Sequence, residues 1–276
     1  MTFSCNRAKT DQRRESLEAY LTTNILGSEF ICRDYEPCKL SHAGLYYEGQ
    51  LHHIGQCYDI SADGMPLRVM IVGQEYGEPP PRVSCEARHE MIMSTGINYR
   101  FTAGAGHKAR NPHMKGTTSV LRLLFGIPLG TDFDSEFIAV DGERRHIFEA
   151  FALVNYLLCS AVSEETKSRG LATPEMKKNC LKNFRVALEI LEPSVVIVQG
   201  KGYWHSVQNA FDAVTHEAHE IYRAKLGSMQ TLVAVLAHPS AFFPHNWGVN
   251  DHTPYLLSTV VTSVAWIRRE LLSANS

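Results

Sequence analysis

The stretch LRVMIVGQEYG, residues 67–77, decides the fold. Its apolar first half is rich in β-branched side chains and ends at a glycine, which predicts a buried strand. The turn that follows has a glycine at each end and carries Gln74 and Glu75 between them. Ligands of open α/β sheets bind beyond the carboxyl ends of parallel strands, so this turn is a candidate site.

The rest of the chain alternates between further apolar strands and amphipathic helices. Further core strands are predicted within residues 148–158, 194–200 and 231–236, and helices within 11–26, 84–94, 117–125, 173–191, 203–211 and 253–272. This alternation predicts an α/β fold of three layers, α/β/α, with a central, mostly parallel, four-stranded sheet. We expect a single domain over residues 1–276, in which residues 1–66 pack an N-terminal helix and a cysteine-bearing loop onto the sheet.

Composition and charge limit the kinds of partner. The chain has 276 residues, 44% of them hydrophobic, and a formal net charge of −2. Neither a signal peptide nor an apolar run that spans a bilayer is evident, which predicts a cytoplasmic protein without membrane contact. Binding of nucleic acid therefore depends on a local basic face, and residues 96–116 are basic with interleaved aromatic side chains.

Three of the predicted core strands end in distinctive polar side chains. Glu75 and Gln74 follow the first strand, Asn155 ends the second, and His238 follows the last. Because parallel strands present their carboxyl ends at one edge of a sheet, we expect a carboxylate, an amide and an imidazole to lie together there.

The motifs around these residues resemble those of the uracil-DNA glycosylase superfamily. The run GQEYG at 73–77 is similar to the water-activating motif of family one, and HPS at 238–240 matches the second motif. The spacing Asn155-x3-Cys159, followed by Cys180 on a helix that Thr173-Pro174 opens, resembles the iron–sulfur branch, families four and five.

The resemblance implies roles for the catalytic residues. Glu75 would orient water or stabilise the cationic sugar, while the iron–sulfur branch has its acid at the position of Gln74; which position faces the sugar stays open. His238 would donate to O2 of uracil as negative charge grows there. Asn155 would read the base edge, and Tyr76 would exclude the methyl group of thymine.

The same resemblance implies further contacts with the base. Gly73 and Ser240 belong to the two motif loops that surround uracil. His113 follows Pro112 where the family places a stacking aromatic residue, and Phe101 or Tyr99 are the alternatives for that role.

The DNA contacts and the cofactor complete what the resemblance implies. Phe242, Phe243 and Trp247 would form the loop that wedges into DNA. The contacts of Lys108 and Arg110 with phosphates are predicted from the basic stretch at 96–116 itself.

The cofactor implied by the iron–sulfur branch is a structural 4Fe–4S cluster held by four cysteines. Its ligands would be Cys32, Cys38, Cys159 and Cys180, with Cys57 as a possible substitute for one of the first two. From the residues alone, the seven cysteines are either buried free thiols or metal ligands, because disulfides are rare in the cytosol.

The expected function is that of a monomeric repair glycosylase. It would flip uracil out of single- or double-stranded DNA and hydrolyse the N-glycosidic bond, leaving an abasic site. Two alternatives stay open: a non-catalytic member that binds uracil or damaged DNA, and an unrelated α/β nucleotide-binding enzyme. A nucleotide-binding enzyme needs a glycine-rich loop to hold phosphates, and the absence of such a loop from this sequence counts against the second alternative.

Overall fold

The computed structural model describes residues 1–26, 30–48, 51–74, 84–104, 106–165 and 170–273. Its α-helices are α1 (Arg7–Leu21), α2 (Tyr35–Leu40), α3 (Cys85–Asn98), α4 (Pro112–Leu124), α5 (Pro174–Leu191), α6 (Trp204–Val207) and α7 (Val261–Ser273). Its strands are β1 (Phe3–Cys5), β2 (Leu45–Glu48), β3 (His53–Ile54), β4 (Ile60–Ala62), β5 (Met65–Pro66), β6 (Val69–Gly73), β7 (Phe137–Val140), β8 (Glu143–His146), β9 (Phe151–Asn155), β10 (Cys159–Val162), β11 (Val195–Gln199), β12 (Ala213–Ala218), β13 (Ile221–Leu226) and β14 (Met229–Leu236). Among the described helices, none combines the length and apolar character that crossing a membrane requires.

The main sheet has seven strands in the order β12-β13-β14-β11-β6-β9-β3. Its neighbours β14, β11, β6 and β9 pair in parallel, whereas β12, β13 and β3 pair antiparallel. The predicted α/β class is confirmed. The sheet is mixed and wider than the four strands predicted, because the antiparallel strands β12 and β13 extend one edge and β3 extends the other.

Alternate residues of the central strands bury against helices on opposite faces of the sheet. Met70 and Val72 of β6 pack in a core cluster with side chains of α1 and α5. Val69 and Ile71, which point the other way, pack with side chains of α4 and α7. This two-sided burial explains why β6 is apolar throughout rather than alternating.

The region before and beside the main sheet is more regular than the sequence predicted. Residues 30–66, expected to be an irregular loop, contain α2 and β2 to β5 in their described part. A second, five-stranded sheet has the order β5-β4-β1-β7-β8, and β2 pairs with β10. These strands are only two to four residues long, which is too short for a period-two pattern to reveal them.

Capping residues set the ends of the main helices. Thr173 caps α5 as predicted, and its side chain accepts a hydrogen bond from the backbone N–H of Met176. Helix α1 begins earlier than the predicted residue 11, because Asn6 is its N-cap. Helix α4 also begins earlier, at Pro112, since Asn111 is its N-cap. The helix predicted at 203–211 is broken into short turns.

Candidate functional site

The ends of β6 and β9 bring the first two motifs together. Gly73 pairs with Asn155 across the parallel ladder. The backbone N–H of Tyr156 donates to the carbonyl of Gly73 at 2.8 Å, and that of Leu157 donates to the carbonyl of Gln74 at 2.8 Å. The hydrogen bonds therefore continue past the strand ends and fix the start of the motif loop beside Asn155.

A cavity of about 390 Å³ opens at this edge of the sheet. Its described lining consists of Arg88, Met91, Ile92, Thr95, Tyr99, Asn111, His113, Met114, Leu153, Asn155 and His238. The structure thus brings the amide of Asn155 and the imidazoles of His113 and His238 to one cavity. The centres of the two imidazole rings are 6.2 Å apart.

Asn155 offers this cavity an amide whose nitrogen has no hydrogen-bond partner among the described residues. The residue is only 6% exposed, so this Nδ2 is a buried donor. A buried donor that lacks an acceptor costs about 1–3 kcal/mol, a cost that a ligand with a matching carbonyl oxygen would remove. The amide is therefore suited to recognise a group that both accepts and donates a hydrogen bond.

His238 is held as a neutral imidazole with a defined tautomer. Its Nδ1 accepts from the backbone N–H of Ser240 at 3.2 Å and lies 2.8 Å from the Ser240 hydroxyl. Desolvation by the surrounding protein lowers the pKa of His238, although the residue as a whole is exposed. Because a backbone N–H can only donate, the proton of the neutral ring is on Nε2. Ser240 thus orients His238 as a donor.

His113 presents a second neutral imidazole from the first turn of α4. Burial, the nearby His238 and the charge of Arg88 lower the pKa of His113 to about 3. The turn is fixed by Asn111, whose side chain accepts from the backbone N–H of Met114 at 2.9 Å. The positive end of the α4 dipole is therefore at the cavity, where it favours negative charge on a ligand.

Three of the predicted contact residues are buried, which corrects their assignment. Phe101 has no exposed surface, so it cannot stack on a base; Tyr99, the alternative, lines the cavity. Trp247 is buried against Gly116, and its Nε1 donates to the carbonyl of Ala237 at 2.7 Å. The tryptophan is therefore part of the scaffold rather than a wedge.

Arg110 is the third correction, because its guanidinium faces the interior. It forms a two-pronged ion pair with Glu136, with N–O distances of 2.9 and 2.6 Å, and neither side chain has more than about 1% of its surface exposed. A buried, paired guanidinium cannot neutralise a DNA phosphate.

The other predicted DNA contacts are on the surface. Phe242 is 95% exposed and Phe243 is 74% exposed, in the loop directly after the His-Pro-Ser motif. Lys108 is exposed as well. Their contacts with DNA stay predictions. Glu75 and Tyr76 lie outside the described residues, so their predicted roles also stay predictions.

The four predicted cluster cysteines lie on the same side of the sheet. Cys38, Cys159 and Cys180 are buried in the core cluster that α1 and α5 share, and Cys32 packs against the same cluster. Burial and the other three thiols together raise the pKa of Cys159 well above its usual value. Burial is also the largest cause that raises the pKa of Cys180, to about 12.

Hydrogen bonds and aromatic rings surround these thiols. The Asn179 amide donates to Sγ of Cys38 at 3.4 Å. The ring centres of Tyr35 and Tyr46 are 5.3 Å apart, and Tyr46 interacts with the Cys159 thiol. In the part of the chain that the structure describes, no three His, Cys, Asp or Glu side chains form a group that could hold a single metal ion. A 4Fe–4S cluster instead takes one thiolate at each of four irons, so its ligands stand further apart.

Cys57 belongs to a different site. Its thiol interacts with the thiol of Cys5, at the end of β1, and it lies outside the core cluster that contains the other four cysteines. Cys57 is therefore not placed to replace Cys32 or Cys38 as a ligand.

Some cavity residues were not predicted from the sequence. Arg88 and Asn111 both line the cavity, yet a lone arginine on a helix and an asparagine before a proline are ordinary surface features. The Asn-Pro pair at 111–112 is the signature of a helix start, which was a usable signal for the position of Asn111.

Comparison with known proteins does not add a family assignment. No model of a known protein family matches the chain, and no curated protein sequence matches it significantly. The relation to the uracil-DNA glycosylases is therefore a resemblance of short motifs, and the function rests on the geometry of the site.

Proposed function

We propose that this protein is a uracil-DNA glycosylase that hydrolyses the N-glycosidic bond of uracil in DNA. The observation that carries the proposal is the meeting of Asn155 and His238 in one cavity at the carboxyl edge of the sheet. A cavity of about 390 Å³ is in the usual size range of small-ligand sites.

The cavity chemistry matches the groups on a uracil ring. The unpartnered Nδ2 of Asn155 is a donor for O4, and its Oδ1 is an acceptor for N3–H. Thymine has the same polar edge, so rejection of its methyl group would need a wall, which is the role proposed for Tyr76. Tyr99 supplies the aromatic surface for stacking.

Bond cleavage leaves negative charge on the base and positive charge on the sugar. His238 donates from Nε2 toward O2, where the charge grows, and the start of α4 adds its positive dipole. The uracil anion leaves, water adds its oxygen to C1′, and the water proton goes to solvent or to the base. The proposal keeps Glu75 as the carboxylate that orients this water, with the position of Gln74 as the alternative.

We propose a 4Fe–4S cluster on Cys32, Cys38, Cys159 and Cys180 as a structural cofactor. Four thiols gathered in one apolar core, all of them free of disulfides, support this assignment. When bound, the cluster would link the segment around α2 to β10 and α5 without entering the reaction.

The proposed partner is uracil-containing DNA, bound by a monomer as one domain. The exposed pair Phe242 and Phe243 is suited to fill the gap that a flipped base leaves in a duplex. Lys108 is suited to a phosphate contact.

One variant pair tests the base-reading role. Asn155→Ala removes two hydrogen bonds to uracil and is expected to slow uracil release from an oligonucleotide about a hundredfold or more. Asn183→Ala is the matched control, because Asn183 is another buried asparagine with an unpartnered Nδ2, and it does not line the cavity. Equal rates for the two variants would contradict the proposal.

The second candidate function is binding of uracil-DNA without cleavage. Among the described residues of the cavity lining there is no carboxylate. Such a protein would bind a uracil-containing strand more tightly than its thymine counterpart and release no base. A product that alkali cleaves at the uracil position excludes this alternative.

A further inference from the structure

The buried pair of Arg110 and Glu136 connects the two elements that form one wall of the cavity. Arg110 precedes α4, and its Nη1 donates to Oγ1 of Thr118 in that helix at 2.9 Å. The Thr118 hydroxyl in turn donates to the carbonyl of Met114, which lines the cavity, at 2.8 Å. One prong of the guanidinium thus fixes the first turns of α4.

The other nitrogens of Arg110 bind the end of α3. Nη2 donates to the carbonyl of Gly96 at 2.6 Å and to that of Tyr99 at 3.3 Å, and Nε donates to that of Thr95 at 3.3 Å. The last carbonyls of a helix have no partners within the helix, so these bonds satisfy them. Thr95 and Tyr99 both line the cavity.

Glu136 is itself held in place and charged. The backbone N–H of Phe148 donates to Nδ1 of His146, so the neutral ring donates from Nε2 to Glu136 at 3.1 Å. Burial opposes ionisation of Glu136, but hydrogen bonds from His146 and Arg110 lower its pKa below the usual value. Gly96 permits this packing, since a Cβ there would lie 2.6 Å from the Phe148 ring.

We propose that Arg110 and Glu136 are positioning residues of the base pocket: they fix Tyr99, at the end of α3, against His113, at the start of α4. An ion pair of this kind has no surface to offer a ligand, and the six donor contacts of Arg110 end on Glu136, on Thr118 of α4 and on three carbonyls at the end of α3. The inference rests on the proposed function only for the identity of the base.

The test compares Arg110→Lys with Arg13→Lys. Arg13 is also in a largely buried ion pair, with Asp59 at 3.0 Å, and none of its partners lines the cavity. Lysine keeps the charge but cannot bind five acceptors in a plane. We expect Arg110→Lys to weaken binding of a uracil-containing single strand about tenfold, whereas Arg13→Lys leaves binding unchanged. Glu136→Gln, which keeps the shape, is the second variant.

A second readout is independent of the substrate. NMR titration of the His113 side chain in the wild-type protein is expected to show a neutral ring down to about pH 5, and in Arg110→Lys a pKa nearer the usual 6.5. Titration of His113 that is the same in both arginine variants overturns the positioning role. If the wild-type protein neither binds nor cleaves uracil-DNA, the proposed function fails, while the His113 titration still decides the positioning role.

Discussion

Gly73→Ala tests the location of the base pocket with the smallest possible change. A Cβ at Gly73 would lie 3.0 Å from Oδ1 of Asn155 and 3.3 Å from Nε2 of His113. Ordinary van der Waals contact begins at 3.4 Å, so both side chains must move by a few tenths of an ångström. The methyl group would therefore displace the atom proposed to accept N3–H of uracil.

The expected effect on stability is small, whereas the expected effect on activity is large. Glycine-to-alanine substitution at an unstrained position stabilises a protein by about 0.4–1 kcal/mol, because it restricts the unfolded chain, and this offsets part of the local crowding. A displaced hydrogen-bonding group is expected to slow uracil release about tenfold to a hundredfold, equivalent to about 1.4–2.7 kcal/mol in the barrier. The variant should thus stay folded and lose activity.

The assay measures single-turnover release of uracil beside the midpoint of urea unfolding. Gly202→Ala is the matched control, because a Cβ there meets no atom within 4 Å and the residue lies in the turn after β11. We expect the control to keep the wild-type rate. Wild-type activity in folded Gly73→Ala would refute the reasoning, since it would show that the base does not bind against Asn155 and His113.

Three further predictions concern the cofactor, the pH dependence and the wedge. Cys159→Ser is expected to remove the brown colour and visible absorbance of an anaerobically purified protein, whereas Cys57→Ser keeps them; a colourless wild-type protein would disprove the cluster. Burial and Arg88 lower the pKa of His52 to about 3, so its neutral form stabilises the fold above the unfolded value of 6.5 and this stabilisation is lost as the pH falls toward 3. The free energy of unfolding, measured with urea between about pH 7 and 5, should then fall by up to about 1.4 kcal/mol per pH unit because of this group. His52→Gln should reduce this dependence on pH. Phe242→Ala with Phe243→Ala should weaken activity on duplexes more than on single strands, in which no gap is filled; equal losses on both substrates would argue against a wedge.

Local signals in the sequence predicted the parts of the fold that depend on local physics. The apolar run at 67–72 contains most of β6 (Val69–Gly73), and Thr173, which precedes a proline, caps α5. Strand β1 was not predicted, because this three-residue strand pairs with β4 and β7, in which the partner residues lie more than fifty positions away.

Site residues at the ends of strands could be predicted from the sequence. Whether a residue of a loop is buried or exposed could not. Asn155 and His238 converge because parallel strands end at one edge. Arg110 was assigned to DNA from the basic stretch around it and Trp247 from the resemblance of its loop, yet each is buried with its polar atoms bonded to protein. The sequence does not reveal that Arg110, rather than another arginine of the basic stretch, pairs with a buried carboxylate. Its partner Glu136 is distant in the chain.

The most direct test is the mass of a single-stranded oligonucleotide with one uracil after incubation with the protein. We expect free uracil and an abasic strand whose mass is that of the substrate less uracil plus one water, and a thymine strand that stays intact. An unchanged uracil strand in the presence of folded protein would contradict hydrolysis of the N-glycosidic bond.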